Sequence, residues 1–229
     1  MVVVIVLAFL IVFVSVGLVL SSSALKTRVK KFRSLIVQDN FREIEPGSYV
    51  MKNNRFGDII RQDFLGLPVV DVKAGKGVIR YNADESIILC DWSITEKNPT
   101  AKKDKVFSCL ALLHLRKNTV PFSVKVSLGK NNKKMPGFLA HLQSVINNED
   151  GFSVSCDGDD KLLGSLGFWD ELVKQLKEKF PLNNCPYGLI AAGPKGWLIL
   201  VPNIANSGVF NSIVELDKKI TDVFLKKTV

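Results

Sequence analysis

The first twenty residues constrain this chain more than any other feature of the sequence. Met1 to Leu20 contain no charged side chain, no proline and a single glycine. At about 1.5 Å of rise per residue, a helix of this length extends about 30 Å, which is the thickness of the hydrocarbon core of a bilayer. The segment therefore has the length and composition of one membrane-spanning helix.

Three interpretations of this segment compete: a retained membrane anchor, a cleaved signal peptide and a buried core helix. A signal peptide normally has a basic region, a shorter apolar stretch of about 7–15 residues and a small-residue cleavage site. The sequence Ser22-Ser23-Ala24 would serve as that site, but no Lys or Arg precedes the apolar run. A buried core helix would rarely be this uniformly apolar at a chain terminus. We therefore expect a retained anchor over residues 1–21.

A basic collar follows this segment and predicts its orientation. Its five cations lie within eight positions, and no acidic residue occurs before Asp39. Lys and Arg beside a span stay on the cytoplasmic side. The sequence thus predicts a single-pass protein of the bacterial inner membrane, with its N-terminus outside and its C-terminal domain in the cytoplasm. The collar is a predicted determinant of topology and of contact with anionic lipid, and it consists of Lys26, Arg28, Lys30, Lys31 and Arg33.

The net charge of +9 does not indicate a nucleic-acid-binding protein. The collar supplies five of these charges and leaves only about +4 for the remaining chain. Proteins that stack on single strands interleave aromatic residues with a basic groove, and no such stripe surrounds the three tryptophans. We predict no nucleic-acid partner. One further basic cluster is a candidate interaction loop, with a solvated loop as the alternative, and it comprises Lys130, Lys133 and Lys134.

The cysteine pattern predicts a reducing compartment and no metal or redox site. Cys90 and Cys109 lie in apolar runs, as free buried cysteines do. No CxxC pair occurs, so the spacing typical of zinc and thioredoxin-like sites is missing. His114 follows Cys109 by five positions in one predicted strand. That odd spacing puts the two side chains on opposite faces and excludes a local Cys–His catalytic pair.

Two further segments resemble a phosphate-binding loop and a calcium-binding loop, but neither has the residues that such a loop requires. A phosphate-binding loop needs Ser or Thr after its Gly-Lys step, whereas Gly75-Lys76-Gly77 is followed by Val78; this segment predicts a hairpin turn. Residues 157–160 contain three aspartates but lack the distal Glu of a calcium loop, and a solvated turn is favoured. We predict no cofactor and no metal.

The rest of the pattern predicts an α+β fold: a mostly antiparallel sheet with amphipathic helices, preceded by one N-terminal transmembrane helix. Residues 22–44 form a basic juxtamembrane helix and linker, and residues 45–229 form the cytoplasmic domain. Gly193-Pro194-Lys195-Gly196 is typical of a hairpin turn. The predicted strands are 69–73, 78–81, 86–94, 106–115, 120–128, 152–156, 189–192 and 197–201, and the predicted helices are 135–148, 167–180 and 207–227.

The juxtamembrane helix is predicted to run to about residue 38 with one apolar stripe. That stripe can pack on the domain, on lipid or on a second copy of the chain. Gly17 and Ser21 form a small-xxx-small pair, which supports helix association in membranes. A homodimer through the span and the juxtamembrane helix is therefore a hypothesis. The stripe consists of Leu25, Val29, Phe32 and Ile36.

Several short segments carry a resemblance. They are Cys90-Asp91-Trp92, Val120-Pro121-Phe122, residues 151–155 before a predicted helix around Trp169, and the hairpin over 188–201. Over roughly residues 45–201 the chain resembles uncharacterised bacterial membrane-anchored proteins with a small cytoplasmic α+β domain of unknown function. The resemblance implies this architecture and a cytoplasmic domain, and it implies no catalytic residues.

No strong catalytic motif occurs in the sequence. We therefore expect a non-enzymatic, single-pass membrane protein whose cytoplasmic domain binds a protein partner, as an accessory or scaffold subunit of a membrane complex. A domain that binds anionic lipid or a small ligand at the membrane surface is the alternative. An enzyme whose site the sequence does not reveal is the third hypothesis.

Overall fold

In the computed structural model of the chain, a nine-stranded antiparallel sheet organises the fold. The structure describes residues 30–37, 39–48, 51, 55–99, 103–117, 123–128, 136–140, 146–147, 152–157, 187–202 and 207–226. The strands are β1 (Arg42–Ile44), β2 (Val69–Tyr81), β3 (Glu85–Glu96), β4 (Lys105–Arg116), β5 (Ser123–Leu128), β6 (Ile146–Asn147), β7 (Phe152–Asp157), β8 (Gly188–Gly193) and β9 (Gly196–Pro202). Their order in the sheet is β1-β2-β3-β4-β9-β8-β5-β7-β6.

The described helices are few. Residues 30–37 form α1, and Phe56–Ile59 form α2, which continues as a π-helical turn over Ile60–Leu65. Gly137–Ala140 form α3 and Ser207–Lys226 form α4. The predicted α+β class with an antiparallel sheet is therefore confirmed.

The central strands are buried on both faces of the sheet. Side chains alternate between faces along a strand, so β3 directs Ile88, Cys90 and Trp92 to a first face and Ile87 and Leu89 to a second face, and all five are buried. The first face belongs to the main hydrophobic core, which also contains residues of α2, the π-helical turn and α3. The Trp92 and Trp197 side chains are buried as well.

The second face carries α4, against which α1 packs. The apolar side of α4 is buried through Phe210, Ile213, Leu216 and Ile220. The Phe32 ring of α1 meets the Phe210 ring edge to face, with centroids 5.5 Å apart. The Lys31 ammonium donates a hydrogen bond to Asn211 Oδ1 at 2.9 Å. The sequence leaves three packing partners open for the juxtamembrane stripe: the domain, lipid or a second copy of the chain. The described part of the stripe packs on the domain.

The prediction of a hairpin turn at Gly75-Lys76-Gly77 is wrong. β2 runs without interruption from Val69 to Tyr81, and its register with β3 shifts between Ala74 and Gly77. A Cβ at Gly77 would collide with the Cys90 side chain and the Leu89 carbonyl oxygen. The glycine therefore permits a close approach of strands at a β-bulge.

The predicted helix over 135–148 is also wrong at its end. Among the described residues of this segment, Gly137–Ala140 are helical, whereas Ile146–Asn147 form β6, paired with β7. The predicted helix over 167–180 lies outside the described residues. The hairpin at 193–196 is confirmed, since Gly193 pairs with Gly196 across a Pro194-Lys195 turn. The helix predicted over 207–227 is confirmed as α4.

Candidate functional site

A buried polar network joins α4 to the sheet. The His114 side chain, 1% exposed, places Nδ1 2.8 Å from Asp217 Oδ1 and Nε2 3.3 Å from Glu85 Oε2. The Trp197 indole N–H donates to the same Asp217 oxygen at 2.8 Å. The imidazole and indole rings lie 4.1 Å apart between centroids. One carboxylate of α4 thus contacts two neighbouring strands.

Strand register brings this network together. His114 of β4 lies opposite Ile87 of β3 and opposite Trp197 of β9. Beside this pair, the backbone of β9 comes so close to the His114 carbonyl oxygen that a Cβ at Gly196 would overlap it. The glycine also has a φ of +135°, which L side chains rarely adopt. The glycine at the hairpin turn thus allows β4 and β9 to meet at the network.

The network continues to the surface through Arg80. Its guanidinium lies 3.7 Å from Glu85 Oε1 and 5.2 Å from the centroid of the Phe41 ring. A histidine that acts as a general base needs a ring nitrogen directed at a nucleophile. Both His114 ring nitrogens face carboxylates instead. We therefore assign the network to holding α4 on the sheet.

Three exposed apolar residues lie at the opposite end of the sheet. Leu67 is 87% exposed, Val106 is 65% exposed, and Val70 is exposed as well. Val106 lies opposite Thr95, and Thr95 lies opposite Asp71, next to Val70. Pro68, which follows Leu67, accepts a hydrogen bond from the Lys97 backbone N–H at 3.1 Å. We call Leu67, Val70 and Val106 the distal patch.

The structure describes part of the basic collar. Lys30 and Arg33 are exposed on α1, whereas Lys31 is bonded to Asn211. Lys26 and Arg28 lie outside the described residues, as do all three lysines of the candidate loop, Lys130, Lys133 and Lys134. Their predicted roles in topology, lipid contact and association stay predictions.

The predicted separation of Cys109 from His114 is confirmed. Cys109 lies in the core of the first face, 4.0 Å from the Tyr187 hydroxyl, whereas His114 contacts α4 on the second face. His141 lies outside the described residues. Within the described part of the chain, no group of three or more His, Cys, Asp or Glu side chains could hold a metal ion.

Burial makes the Cys90 thiol inert. Desolvation raises the pKa of Cys90 well above its ordinary value, and Asp91 raises it further, while a backbone hydrogen bond with Gly75 acts in the opposite direction. Because the thiolate is the nucleophile, a buried thiol that stays protonated is a poor one.

We expect Cys90 and Cys109 to resist a disulfide reagent in the native protein and to react after unfolding. The measurement is a thiol titration at mildly alkaline pH, with Cys156 and Cys185 replaced by serine. Because the pKa of Cys90 is raised only in the folded protein, the Cys90 thiol ionises at a lower pH in the unfolded chain. Stability should fall as pH rises past the ordinary thiol pKa of about 8.5. Native-state reaction at the rate of a free thiol would contradict this account.

Comparisons with known proteins assign no family to this chain. No protein-family model matches the sequence, and no curated protein matches it. The fold overlaps the crystal structure of the mycobacterial trehalose monomycolate transport factor A with a TM-score of 0.48 and 11% sequence identity. The overlap covers 85% of this chain and 92% of that one. Similarity at this level is too low to transfer a function.

The predicted membrane span lies outside the described residues, which begin at residue 30. Among the helices that the structure describes, none has both the length and the apolar character that a bilayer crossing requires.

Proposed function

We propose that this chain is a single-span protein of the bacterial inner membrane whose cytoplasmic domain binds a protein partner. Residues 1–21 anchor it, the collar retains the domain in the cytoplasm, and the domain acts as a non-enzymatic accessory or scaffold subunit of a membrane complex. The resemblance to uncharacterised membrane-anchored proteins supports the same architecture.

The distal patch is the observation that carries the partner assignment. Single exposed apolar residues are ordinary on protein surfaces, but a group of them is typical of an interaction site. Three of the large apolar side chains that are exposed in the described structure lie at this one end of the sheet. Two others, Val37 and Tyr81, lie at the α1 end, and β2 separates the two groups.

Packing between α1 and α4 supports the anchored architecture. Phe32 and Leu35 are buried, and Phe32 contacts Phe210, so α1 is fixed to α4. A span that continues into such a helix would hold the domain beside the bilayer. The distal patch would then lie at the end of the domain that is far from α1.

The partner assignment is tested by changing the distal patch. Leu67→Ser with Val106→Ser should greatly reduce what crosslinks to and co-purifies with the full chain from membranes, because these side chains supply the apolar contact. Both positions are exposed, so stability should stay within about 0.5 kcal/mol of the unchanged protein.

Val37→Ser is the matched control, since Val37 is 82% exposed and lies at the other end of β2. It should leave co-purification unchanged. Equal recovery of partners with the double variant and with the control would refute the distal patch as the binding surface. If crosslinks form only between copies of the chain, the binding surface mediates a homodimer and not the binding of another protein.

The anchor is tested by protease accessibility in spheroplasts. The intact protein should be protected, and replacing all five collar residues with glutamine should make its orientation mixed. Digestion of the unchanged protein from outside, or a mature N-terminus at Leu25, would overturn the proposed topology.

A further inference from the structure

We propose that the distal end of the domain binds an acidic surface of its protein partner, through three lysines that lie beside the distal patch. This inference rests on the partner binding proposed above and adds the chemistry of the partner. We call Lys97, Lys103 and Lys105 the basic tip, because they lie where the chain passes from β3 to β4. All three side chains are exposed.

Backbone contacts place the basic tip beside the distal patch. The Lys97 backbone N–H donates to the Pro68 carbonyl at 3.1 Å, so Lys97 lies next to the segment that carries Leu67. Lys105 is the first residue of β4, lies opposite the last residue of β3, and directly precedes Val106. The lysines and the apolar side chains therefore share one end of the sheet.

The acidic side chains at this end do not neutralise the three lysines. The Glu96 carboxylate is turned inward, since it is 5% exposed and accepts a hydrogen bond from a backbone N–H of α3 at 3.1 Å. Asp71 forms an ion pair with Lys73 at 2.9 Å. Asp104 is the only acidic residue between Lys97 and Lys105, and its carboxylate accepts the Asn98 backbone N–H at 3.3 Å. The end of the sheet thus carries a net positive charge.

The basic tip also differs from the lysines at the opposite end of the sheet. Lys117 lies 3.8 Å from Asp84, and Lys195 lies 2.9 Å from Asp63. Within the described part of the chain, no side chain forms an ion pair with the basic tip. Unpaired cations of one sign attract a complementary negative surface and disfavour a positive one.

The mixture of cations and apolar side chains identifies the occupant as a protein. Leu67, Val70 and Val106 favour apolar contacts, and interfaces with nucleic acids are more polar than those between proteins. An acidic protein surface that also carries apolar residues supplies both kinds of contact. The lipid of the anchoring membrane is disfavoured, because the basic tip lies at the end of the sheet that is far from α1.

The geometry of the end of the sheet limits the shape of this surface. Side chains alternate between faces along a strand, so Lys105 and Val106 project to the two sides of β4. A partner that contacts both has to reach around the end of the sheet. We therefore expect a concave acidic surface.

The experiment treats membranes that contain the full chain with a zero-length carbodiimide, which joins a lysine amine to a carboxylate that touches it. Mass spectrometry of the products should show the basic tip joined to Asp or Glu residues of another protein. Lys117 and Lys195 are the matched controls, and they should join to Asp84 and Asp63 of the same chain.

A variant with Lys97→Gln, Lys103→Gln and Lys105→Gln should recover about 10-fold less partner from membranes, because an exposed charge pair contributes about a factor of two. The remaining binding should lose its dependence on salt. Lys117→Gln with Lys195→Gln is the matched control and should leave recovery unchanged. Thermal unfolding of the triple variant should not change, since all three side chains are exposed.

The outcomes separate this inference from the proposed function. If Leu67→Ser with Val106→Ser loses the partner and the triple lysine variant retains it, partner binding stands and the acidic surface is wrong. If both variants retain the partner, the proposed function fails as well. If the basic tip joins to no protein and the triple variant loses binding to vesicles that contain phosphatidylglycerol, the basic tip binds lipid and the inference is overturned.

Discussion

Replacing Asp217 with alanine is expected to lower the free energy of unfolding by about 3–5 kcal/mol. The carboxylate accepts a hydrogen bond from the Trp197 indole and lies 2.8 Å from His114 Nδ1. Both partners are buried, so neither can replace the lost contact with bulk water. The variant removes both contacts and with them the polar link between α4 and the sheet.

Urea unfolding followed by tryptophan fluorescence measures this loss. Asp222→Ala is the matched control, because Asp222 is exposed on the same helix, and its effect should stay within about 0.5 kcal/mol. Asp217→Asn should fall between them, since an amide oxygen still accepts one hydrogen bond. Equal stability of the variants at 217 and 222 would show that the network does not hold α4.

Replacing Gly196 with alanine should destabilise the protein by about 3–5 kcal/mol, because overpacking and an unfavourable φ act together. The added Cβ would overlap the His114 carbonyl oxygen and lie 3.0 Å from Leu115 Cα. These contacts are with backbone atoms of β4, which cannot rotate away as a side chain could. The strands would have to separate beside the His114 network.

Gly66→Ala separates the two causes of this loss. Gly66 has a φ of +70°, but no described atom outside its immediate neighbours lies within 4 Å of its added Cβ. The Gly66→Ala variant should therefore lower the free energy of unfolding through backbone strain alone, by about 1–3 kcal/mol. Thermal unfolding of both variants gives the comparison, and an effect at Gly196 no larger than at Gly66 would rule out the predicted clash.

The sequence predicts which helices and strands form better than it predicts which of them pair with one another. Alternation and turn residues indicate β3, β4, the β8–β9 hairpin and α4 because these signals are local. The pairing of β4 with β9 joins residues that are far apart in sequence, such as Leu112 and Ile199, and no local pattern encodes it. The Gly75–Gly77 segment is predicted as a turn but forms part of β2, because glycine pairs occur in both turns and bulges and only the partner strand distinguishes them.

The buried network left one signal in the sequence. Asp217 follows Ile213 by four positions and precedes Ile220 by three, so it lies on the apolar stripe of α4. A carboxylate there requires a buried polar partner. The sequence does not identify His114 or Trp197 as those partners, because both belong to other elements. The distal patch was likewise unpredicted, since exposure of an apolar residue depends on what packs over it.

Because α1 is fixed to α4 and α4 to the sheet, the distance from the α1 end of the domain to the distal patch is set by the length of the sheet. The thirteen residues of β2 extend about 40 Å between the α1 end and the end that carries Leu67 and Val70. A domain fastened at one end acts as a spacer of set length. With β2 along the membrane normal, the proposed anchor would bring the distal patch to partners whose binding surface lies at that height above the bilayer, and not to partners that stay flush with the headgroups.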